Sequence, residues 1–235
     1  MKNKDLSRHP GKSDVKEFIS KLDKMPLVRK SENTGRLVFA MDATASREPM
    51  WGRACHIQGQ MFEVTNALGG LDVQLCYYHG FEIFHATRWS NKSSTLLREM
   101  TAVHCSAGHT QIRKVLEHVL TETKKIKVNA VVFIGDCMEE DADYLCKLAG
   151  ELGVLGVPLF IFHEGDEPKA AAVFRRMAKL SHGAYCYFNA QSAKYLGELL
   201  GAVAVYAAGG WQALDDYTNK HGTSVLHLSN QIERG

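Results

Sequence analysis

A short apolar segment that ends in one carboxylate and two hydroxyls constrains the fold more than any other part of the chain. Leu37–Met41 is a run of five apolar residues after Gly35, and it predicts a strand that is buried on both faces. Asp42 ends the run, and Thr44 and Ser46 follow at alternate positions before a helical pattern begins. Open α/β sheets keep their binding sites at the carboxyl ends of central strands, so these side chains predict a site at that edge.

Two interpretations of these three side chains are open. Ligands that bind only through oxygen suit a hard cation such as Mg²⁺, which keeps several of its waters. In the alternative interpretation Ser46 is a helix N-cap, Thr44 a turn residue and Asp42 a solvated strand end. Only groups contributed by other loops can distinguish the two.

The composition limits the protein to a few classes. A chain of 235 residues with 45% hydrophobic residues fits one domain with extensions. Residues 1–34 hold nine Lys or Arg and five Asp or Glu, a net charge of +4 in a chain whose total is +2. This basic tail is too weak to indicate nucleic-acid binding.

The sequence also predicts where the protein resides. The first thirty residues lack an apolar signal-peptide core, and no apolar run approaches the roughly 18 residues that a membrane helix needs. The six cysteines form no Cys-x-x-Cys pair, and the histidines have no zinc-site spacing. We therefore expect a cytoplasmic protein with reduced thiols, no membrane span and no zinc site.

The remaining pattern alternates between helices and strands. An apolar stripe of helical spacing covers residues 50–68, and strands are predicted at 71–78 and 81–89 around a two-residue turn, His79-Gly80. Strands joined so tightly must be antiparallel. A polar connection with a short helix follows over residues 90–100. Further strands are predicted at 128–134, 157–162 and 184–188, and further helices after residue 110 and at 138–152, 168–180 and 192–208.

This order predicts an α/β fold: a doubly wound, mostly parallel sheet with one antiparallel edge strand and helices on both faces. The domain is predicted to cover 35–209. Residues 1–34 form an N-terminal extension whose short amphipathic helix carries Val15, Phe18, Ile19 and Leu22. This helix is expected to pack on the domain, and partner binding is the alternative. Residues 210–235 form a C-terminal extension in which Val225–Leu228 is an added strand or a docking segment.

Two further loops belong to the same predicted edge as Asp42. One contains Thr110, whose hydroxyl opens a helix, and the other contains Gly135 and Asp136 at the end of a β-branched strand. Together with Thr44 and Ser46, three loops supply two carboxylates and three hydroxyls. Helix capping alone does not account for three such loops, with an antiparallel edge strand between the first and the second.

The chain resembles the von Willebrand factor type A (VWA) family, and more closely its bacterial cytoplasmic single-domain members. The metal-ion-dependent adhesion site (MIDAS) of that family reads Asp-x-Ser-x-Ser, then Thr, then Asp. This pattern is met by Asp42-Ala-Thr44-Ala-Ser46, by Thr110 and by Asp136, with Thr44 in place of the commoner Ser. The resemblance implies that these five residues hold Mg²⁺ or Mn²⁺, directly or through water.

The resemblance implies a scaffold or adaptor that is not an enzyme. A partner protein would complete the coordination of the metal with an Asp or Glu, and AAA+ ATPases and stress-response or chaperone-linked modules are candidate partners. Glu48, Glu139, Glu140, Asp141 and Asp166 lie in or beside the same predicted face. Solvated helix starts are the expected explanation for them, and groups that support the metal ligands or an acidic rim are the alternative.

Other functions are less compatible with the motifs. A Mg²⁺-dependent phosphoryl hydrolase is the enzymatic alternative, but Thr44 stands where haloacid-dehalogenase-type phosphatases need a second Asp. The chain has no P-loop, and no Gly-x-Gly-x-x-Gly follows the first strand. A degenerate VWA domain without metal is a third possibility, which the five intact positions disfavour.

Overall fold

The computed structural model describes residues 34–48, 51, 52, 54, 55, 61, 62, 64, 70–188 and 193–232. Its strands are β1 (Gly35–Asp42), β2 (Leu71–His79), β3 (Ile83–Ala86), β4 (Ala130–Gly135), β5 (Leu159–Glu164) and β6 (Tyr185–Phe188). Its helices are α1 (Ser93–Thr101), α2 (Ile112–Lys125), α3 (Ala142–Val154), α4 (Pro168–Leu180) and α5 (Ala193–Ile232), with a 3₁₀ turn at Ala45–Arg47. The described residues between 51 and 64 are helical, as the apolar stripe predicts.

The strands form one six-stranded sheet in the order β3-β2-β1-β4-β5-β6. The pairs β1–β2, β1–β4, β4–β5 and β5–β6 are parallel, whereas β3 pairs with β2 in the antiparallel sense at the edge. The predicted fold class is confirmed. Because β1 is central and parallel to β2 and β4, its carboxyl end is flanked by the loops that follow those two strands.

Both faces of the sheet are covered by helices, and successive side chains of β1 point into the two cores in turn. Leu37, Phe39 and Met41 are buried with α1, α5 and the helical residues 51–62, whereas Val38 and Ala40 are buried with α2, α3 and α4. Each core strand is therefore apolar on both sides, which explains the continuous hydrophobic run in the sequence.

Three loop regions differ from the pattern. The β2–β3 turn is three residues long, Gly80–Glu82, with positive φ of 58° at Gly80 and 65° at Glu82. The strand after the turn ends at Ala86, and Trp89 instead packs on the guanidinium of Arg36, 3.8 Å from the ring centre. Helix α3 begins at Ala142 because Asp141 caps it, its carboxylate accepting from the Tyr144 amide over 2.7 Å.

The C-terminal segment is helical throughout its described length. Helix α5 is interrupted at Gly210, where φ is 69°, and then continues to Ile232. Residues 225–228 lie in this helix, so the alternative of an added strand there is wrong. The division into extensions and a domain stays a prediction, and the amphipathic segment around Phe18 lies outside the described residues.

Two chemical expectations can be compared with the described part of the chain. All six cysteines are free thiols, and four of them are buried, as the apolar patterns around them predict. No helix among the described residues is both long enough and apolar enough to cross a membrane.

Candidate metal centre

The loop after β1 folds back on its own carboxylate. Asp42 is fully buried, and its Oδ1 accepts a hydrogen bond from the Thr44 amide over 2.7 Å. The Ala43 amide donates to the Tyr78 carbonyl over 2.9 Å, which continues the β1–β2 pairing into the loop. This turn directs the residues after Asp42 across the end of the sheet towards β4.

A chain of hydroxyls connects this loop to the one after β4. The Ser46 hydroxyl donates to Asp136 Oδ2 over 2.7 Å, and the hydroxyls of Thr44 and Ser46 lie 3.3 Å apart. Because the single hydroxyl proton of Ser46 is used on Asp136, Thr44 is the donor in the second bond. The structure therefore brings Asp42, Thr44, Ser46 and Asp136 together.

Thr110 is attached to the β4 loop by a reciprocal pair of hydrogen bonds. Its hydroxyl accepts from the Glu139 amide over 3.0 Å, and its own amide donates to Glu139 Oε2 over 3.0 Å. Glu139 follows Asp136 by three residues, so this pair fixes the Thr110 loop next to the second carboxylate. The ligand role of all five residues stays a prediction.

Most of the acidic residues beside the site accept hydrogen bonds from other parts of the described structure. Glu140 accepts from the amides of Ile112 and Arg113, each over 2.8 Å, and so caps α2 from the neighbouring loop. Asp166 accepts from the Tyr187 hydroxyl over 2.7 Å. Together with the Asp141 cap, these contacts agree with the helix-start interpretation rather than with an acidic rim.

Arg47 is a buried cation that no sequence pattern indicates. Its side chain is 3% exposed, and Nη1 lies 2.5 Å from Glu164 Oε2 and 3.8 Å from Asp136 Oδ2. No local pattern marks an arginine for burial. The position of Glu164 at this edge was predictable from the sequence. It is the last residue of β5, just as Asp42 ends β1 and Asp136 follows β4.

His163 holds the backbone of Asp136 through a hydrogen bond. It is fully buried, and Nε2 donates to the Asp136 carbonyl over 2.9 Å while Nδ1 accepts from the Tyr185 hydroxyl over 2.8 Å. Burial lowers the pKa of His163, so the imidazole stays neutral in this arrangement. It lies one residue before the end of β5, where no pattern of neighbouring residues indicates this contact.

The unpaired polar atoms of the described residues are concentrated at this edge of the sheet. The buried side-chain atoms without a hydrogen-bond partner there are Asp42 Oδ2, Asp136 Oδ1, Tyr78 Oη, Gln111 Oε1, and Arg47 Nε and Nη2. Folded proteins leave few such atoms, and each requires an explanation such as an ion or water. Each of the two aspartates therefore has one carboxylate oxygen without a well-formed hydrogen bond to the described residues.

The electrostatics of Asp42 agree with this interpretation. Burial raises the pKa of Asp42 to about 6, and the hydrogen bonds from Thr44 offset part of that effect. The pKa of Tyr78 is raised well above its ordinary value by burial and then by the nearby Asp42 carboxylate. A cation at Asp42 would stabilise its ionised form.

The oxygen donors at this edge favour a hard divalent cation over a metal that prefers nitrogen or sulfur ligands. In the part of the chain that the structure describes, no three His, Cys, Asp or Glu side chains form a group that could hold a metal. The candidate centre instead combines two carboxylates with three hydroxyls, a donor set that fits a hard divalent cation.

Solved structures with the same fold confirm the architecture. The SpRpn10 VWA domain matches with a TM-score of 0.55 at 12% identity, over 67% of this chain and 89% of that one. The fold is that of a von Willebrand factor A domain. An aerotolerance-related membrane protein from Bacteroides fragilis matches with a TM-score of 0.53 at 12% identity, over 71% of this chain and 98% of that one.

A third VWA-type structure contains a metal. Proximal thread matrix protein 1 from the mussel byssus, with zinc in its MIDAS motif, matches with a TM-score of 0.58 at 13% identity. The match covers 76% of this chain and 46% of that one. No family model and no curated protein sequence matches this chain. At these identities the likeness shows the VWA fold, and function has to be argued from the site.

Proposed function

We propose that this VWA domain is a metal-dependent protein-binding module, a scaffold or adaptor without catalytic activity. Asp42, Thr44, Ser46, Thr110 and Asp136 would hold Mg²⁺, or Mn²⁺ in its place. The observation that carries the proposal is the pair of buried carboxylate oxygens, Asp42 Oδ2 and Asp136 Oδ1, that have no hydrogen-bond partner among the residues that the structure describes.

The donor set favours capture of an acidic side chain. Three of the five donors would be neutral hydroxyls, which donate less electron density than carboxylates, and the ion would offer an electrophilic position to a carboxylate of a partner. The residues of this chain orient that position. Ser46 fixes Asp136 Oδ2, the Thr44 amide fixes Asp42 Oδ1, and Glu139 fixes the loop of Thr110.

The partner we propose is a protein that offers Asp or Glu at its surface. An AAA+ ATPase, or a stress-response or chaperone-linked module, in a bacterial cytoplasm is the expected class, on the basis of the resemblance to the VWA family. Phosphoryl hydrolysis is the alternative outcome, and Mg²⁺-dependent phosphate release from a general phosphate ester would support it. We expect no such release.

Selection from a displayed library of random peptides tests the proposal even though the partner is unidentified. The full-length protein should enrich peptides that bind in Mg²⁺ and dissociate when a chelator is added. In each enriched peptide, replacing one Asp or Glu by Asn or Gln should abolish binding, because only a carboxylate satisfies the cation.

Two variants make the result specific. Asp42→Asn should lose the chelator-sensitive binding, whereas Asp143→Asn should retain it, because Asp143 pairs with Arg176 on the outer helices. Enriched peptides that need no acidic residue, or that bind Asp42→Asn equally well, would contradict the proposed function.

A further inference from the structure

The antiparallel strand β3 forms a lateral edge of the sheet. In the described part of the chain it pairs with β2 and with no other strand. Directly after β3, the Thr87 amide donates to the Leu75 carbonyl over 2.9 Å, in the same register as the β2–β3 pairs. Because backbone groups point alternately to the two sides of an antiparallel strand, those of Phe84 and Ala86 point away from β2. These two residues are therefore positioned to pair with a further strand.

This edge lacks the features that usually prevent a sheet from pairing with another chain. Ile83–Ala86 contains no Lys, Arg, Asp, Glu or Pro, the residues that commonly protect an edge strand. Its side chains face solvent, since Ile83 is 40% exposed and Phe81 in the preceding turn is 69% exposed. An uncharged edge strand with exposed apolar side chains indicates a surface for strand addition.

We propose that β3 pairs with β3 of a second copy of this chain, in the antiparallel sense and about a two-fold axis at His85. In this register Phe84 of each copy lies opposite Ala86 of the other, so both outward-pointing residues pair within the two strands. A register centred on Phe84 or on Ala86 would instead pair one of them with Glu82 or Arg88, outside the strand. The same strand can serve on both sides because a two-fold contact is isologous.

The charges that flank the strand favour a second copy as the occupant. Glu82 precedes His85 by three residues and Arg88 follows it by three, so each Glu82 would come to the level of Arg88 of the second copy. The Glu82 side chain is 81% exposed, and Lys114 approaches its Oε2 atom to 2.6 Å. Arg88 is exposed and has no acidic partner among the described residues. The edge is thus complementary in charge to itself.

The side chains of the edge also fit their own copies. On one face of the sheet the Phe84 ring would lie opposite the small Ala86 side chain, which leaves room for the ring. On the other face Ile83 would lie opposite Thr87, and β-branched side chains are favoured as cross-strand neighbours. At the axis the His85 rings of the two copies would lie side by side.

The proposed contact is small and leaves the candidate metal centre open. The ladder adds about four backbone hydrogen bonds, two for each Phe84–Ala86 pair. Interfaces of this size form weak complexes, so we expect a dissociation constant on the order of 10 µM. A two-fold axis perpendicular to the sheet points the carboxyl ends of the parallel strands of the two copies in opposite directions. The inference does not depend on the metal centre.

Sedimentation equilibrium of the full chain in chelator, from about 1 to about 300 µM, tests this proposal. Wild type should pass from monomer to dimer over that range. Ala86→Pro should stay monomeric, because proline removes the amide that faces the second copy but no hydrogen bond to β2. Its melting temperature should stay close to that of wild type.

The control variant Val154→Asp changes an exposed apolar side chain on another surface, at the end of α3. Val154 is 90% exposed, so this change should leave both the fold and the dimer unaffected.

Two charge variants test the register independently, even if Ala86→Pro fails to fold. Glu82→Arg and Arg88→Glu should each weaken the dimer by about tenfold, because like charges would meet at both ends of the contact. An equimolar mixture of the two should associate about as tightly as wild type. Each variant then presents opposite charges to the other at both ends.

Three results would overturn the proposal. The first is a wild type that stays monomeric up to about 300 µM. The second is a dimer that a folded Ala86→Pro retains or that Val154→Asp abolishes. The third is a mixture of the charge variants that associates no better than either alone. Because chelator is present throughout, none of these results depends on whether the protein binds a metal.

Discussion

The buried environment of Asp42 shifts its pKa and makes the stability of the protein depend on pH. Its pKa of about 6 in the metal-free fold exceeds its ordinary value of 3.8, with burial as the main cause. The folded protein therefore binds more protons than the unfolded chain between these two pH values. By linkage, this carboxyl lowers the stability of the metal-free fold as pH rises through that window, and the loss is complete above it.

Asp42→Asn should consequently stabilise the metal-free protein at neutral pH. A pKa shift of about two units corresponds to about 3 kcal/mol of unfolding free energy, as an upper figure. The gain over wild type should be full near pH 7.5, shrink below pH 6 and vanish near pH 4. Urea unfolding in chelator across this range measures it, and a difference that is constant with pH would contradict the assignment.

Arg47 sets the charge balance of the site. It is buried between Glu164 and Asp136, and removal of one partner from a buried ion pair typically costs about 3–5 kcal/mol. Arg47→Met should therefore destabilise the metal-free protein by about this amount. It should also tighten binding of a divalent cation, because a competing positive charge near Asp136 is lost.

Thermal unfolding with and without Mg²⁺ measures both effects of the Arg47 change. The melting temperature of Arg47→Met should lie below that of wild type in chelator and should rise more on Mg²⁺ addition. Arg98→Met is the matched control, because Arg98 is 72% exposed and lies on α1. An equal Mg²⁺-induced rise in wild type and Arg47→Met would refute this role of Arg47.

At the scale of elements, the β2–β3 turn and the loop before α2 form one unit. The His109 amide donates to the Gly80 carbonyl over 3.1 Å, and Gln111 Nε2 donates to the His79 carbonyl over 3.2 Å. A Cβ at Gly108 would overlap the Gly80 carbonyl oxygen. Thr110 is thus positioned by the edge hairpin as well as by Glu139.

Gly108→Ala should separate these two loops and displace Thr110. We expect a loss of about 1–3 kcal/mol of unfolding free energy from the forced shift, and weaker binding of Mg²⁺. Gly150→Ala in α3 is the control, because nothing lies within 4 Å of the added methyl group. That change should stabilise by up to about 1 kcal/mol and leave metal binding unchanged. Normal Mg²⁺ affinity in Gly108→Ala would show that the hairpin does not position Thr110.

The elements also show what the sequence could predict. The run at 37–41 and the β-branched run at 128–134 each identify a strand, because a buried parallel strand must be apolar on both faces. The prediction of a two-residue turn is wrong, because the turn has three residues with positive φ at Glu82. The Glu82 carbonyl accepts from Lys114 Nζ over 2.8 Å, a contact with a distant helix that the local sequence does not show. The same limit applies to Arg47 and His163, whose partners are far away in the sequence although close in space.

At the scale of the whole molecule, the two edges of the sheet have different chemistry. The carboxyl edge collects Asp42, Asp136 and the hydroxyls, whereas exposed apolar side chains, among them Ile126 and Val154, lie at the helix ends on the opposite edge. The solved VWA structures share this architecture at 12–13% identity, so the fold tolerates replacement of most of its residues. Strand order brings the loops of Asp42 and Asp136 together, whereas the loop of Thr110 follows α1 and is positioned by its contacts with Glu139 and the edge hairpin.

The central claim is that these five residues form one divalent cation site. Calorimetric titration of Mg²⁺, and of Mn²⁺ in parallel, into the chelator-stripped full chain tests it directly, with Asp42→Ala as the variant and Asp143→Ala as the control. We predict one binding site in wild type and Asp143→Ala, and none in Asp42→Ala with its fold intact. Equal Mg²⁺ affinity in wild type and Asp42→Ala would contradict the claim.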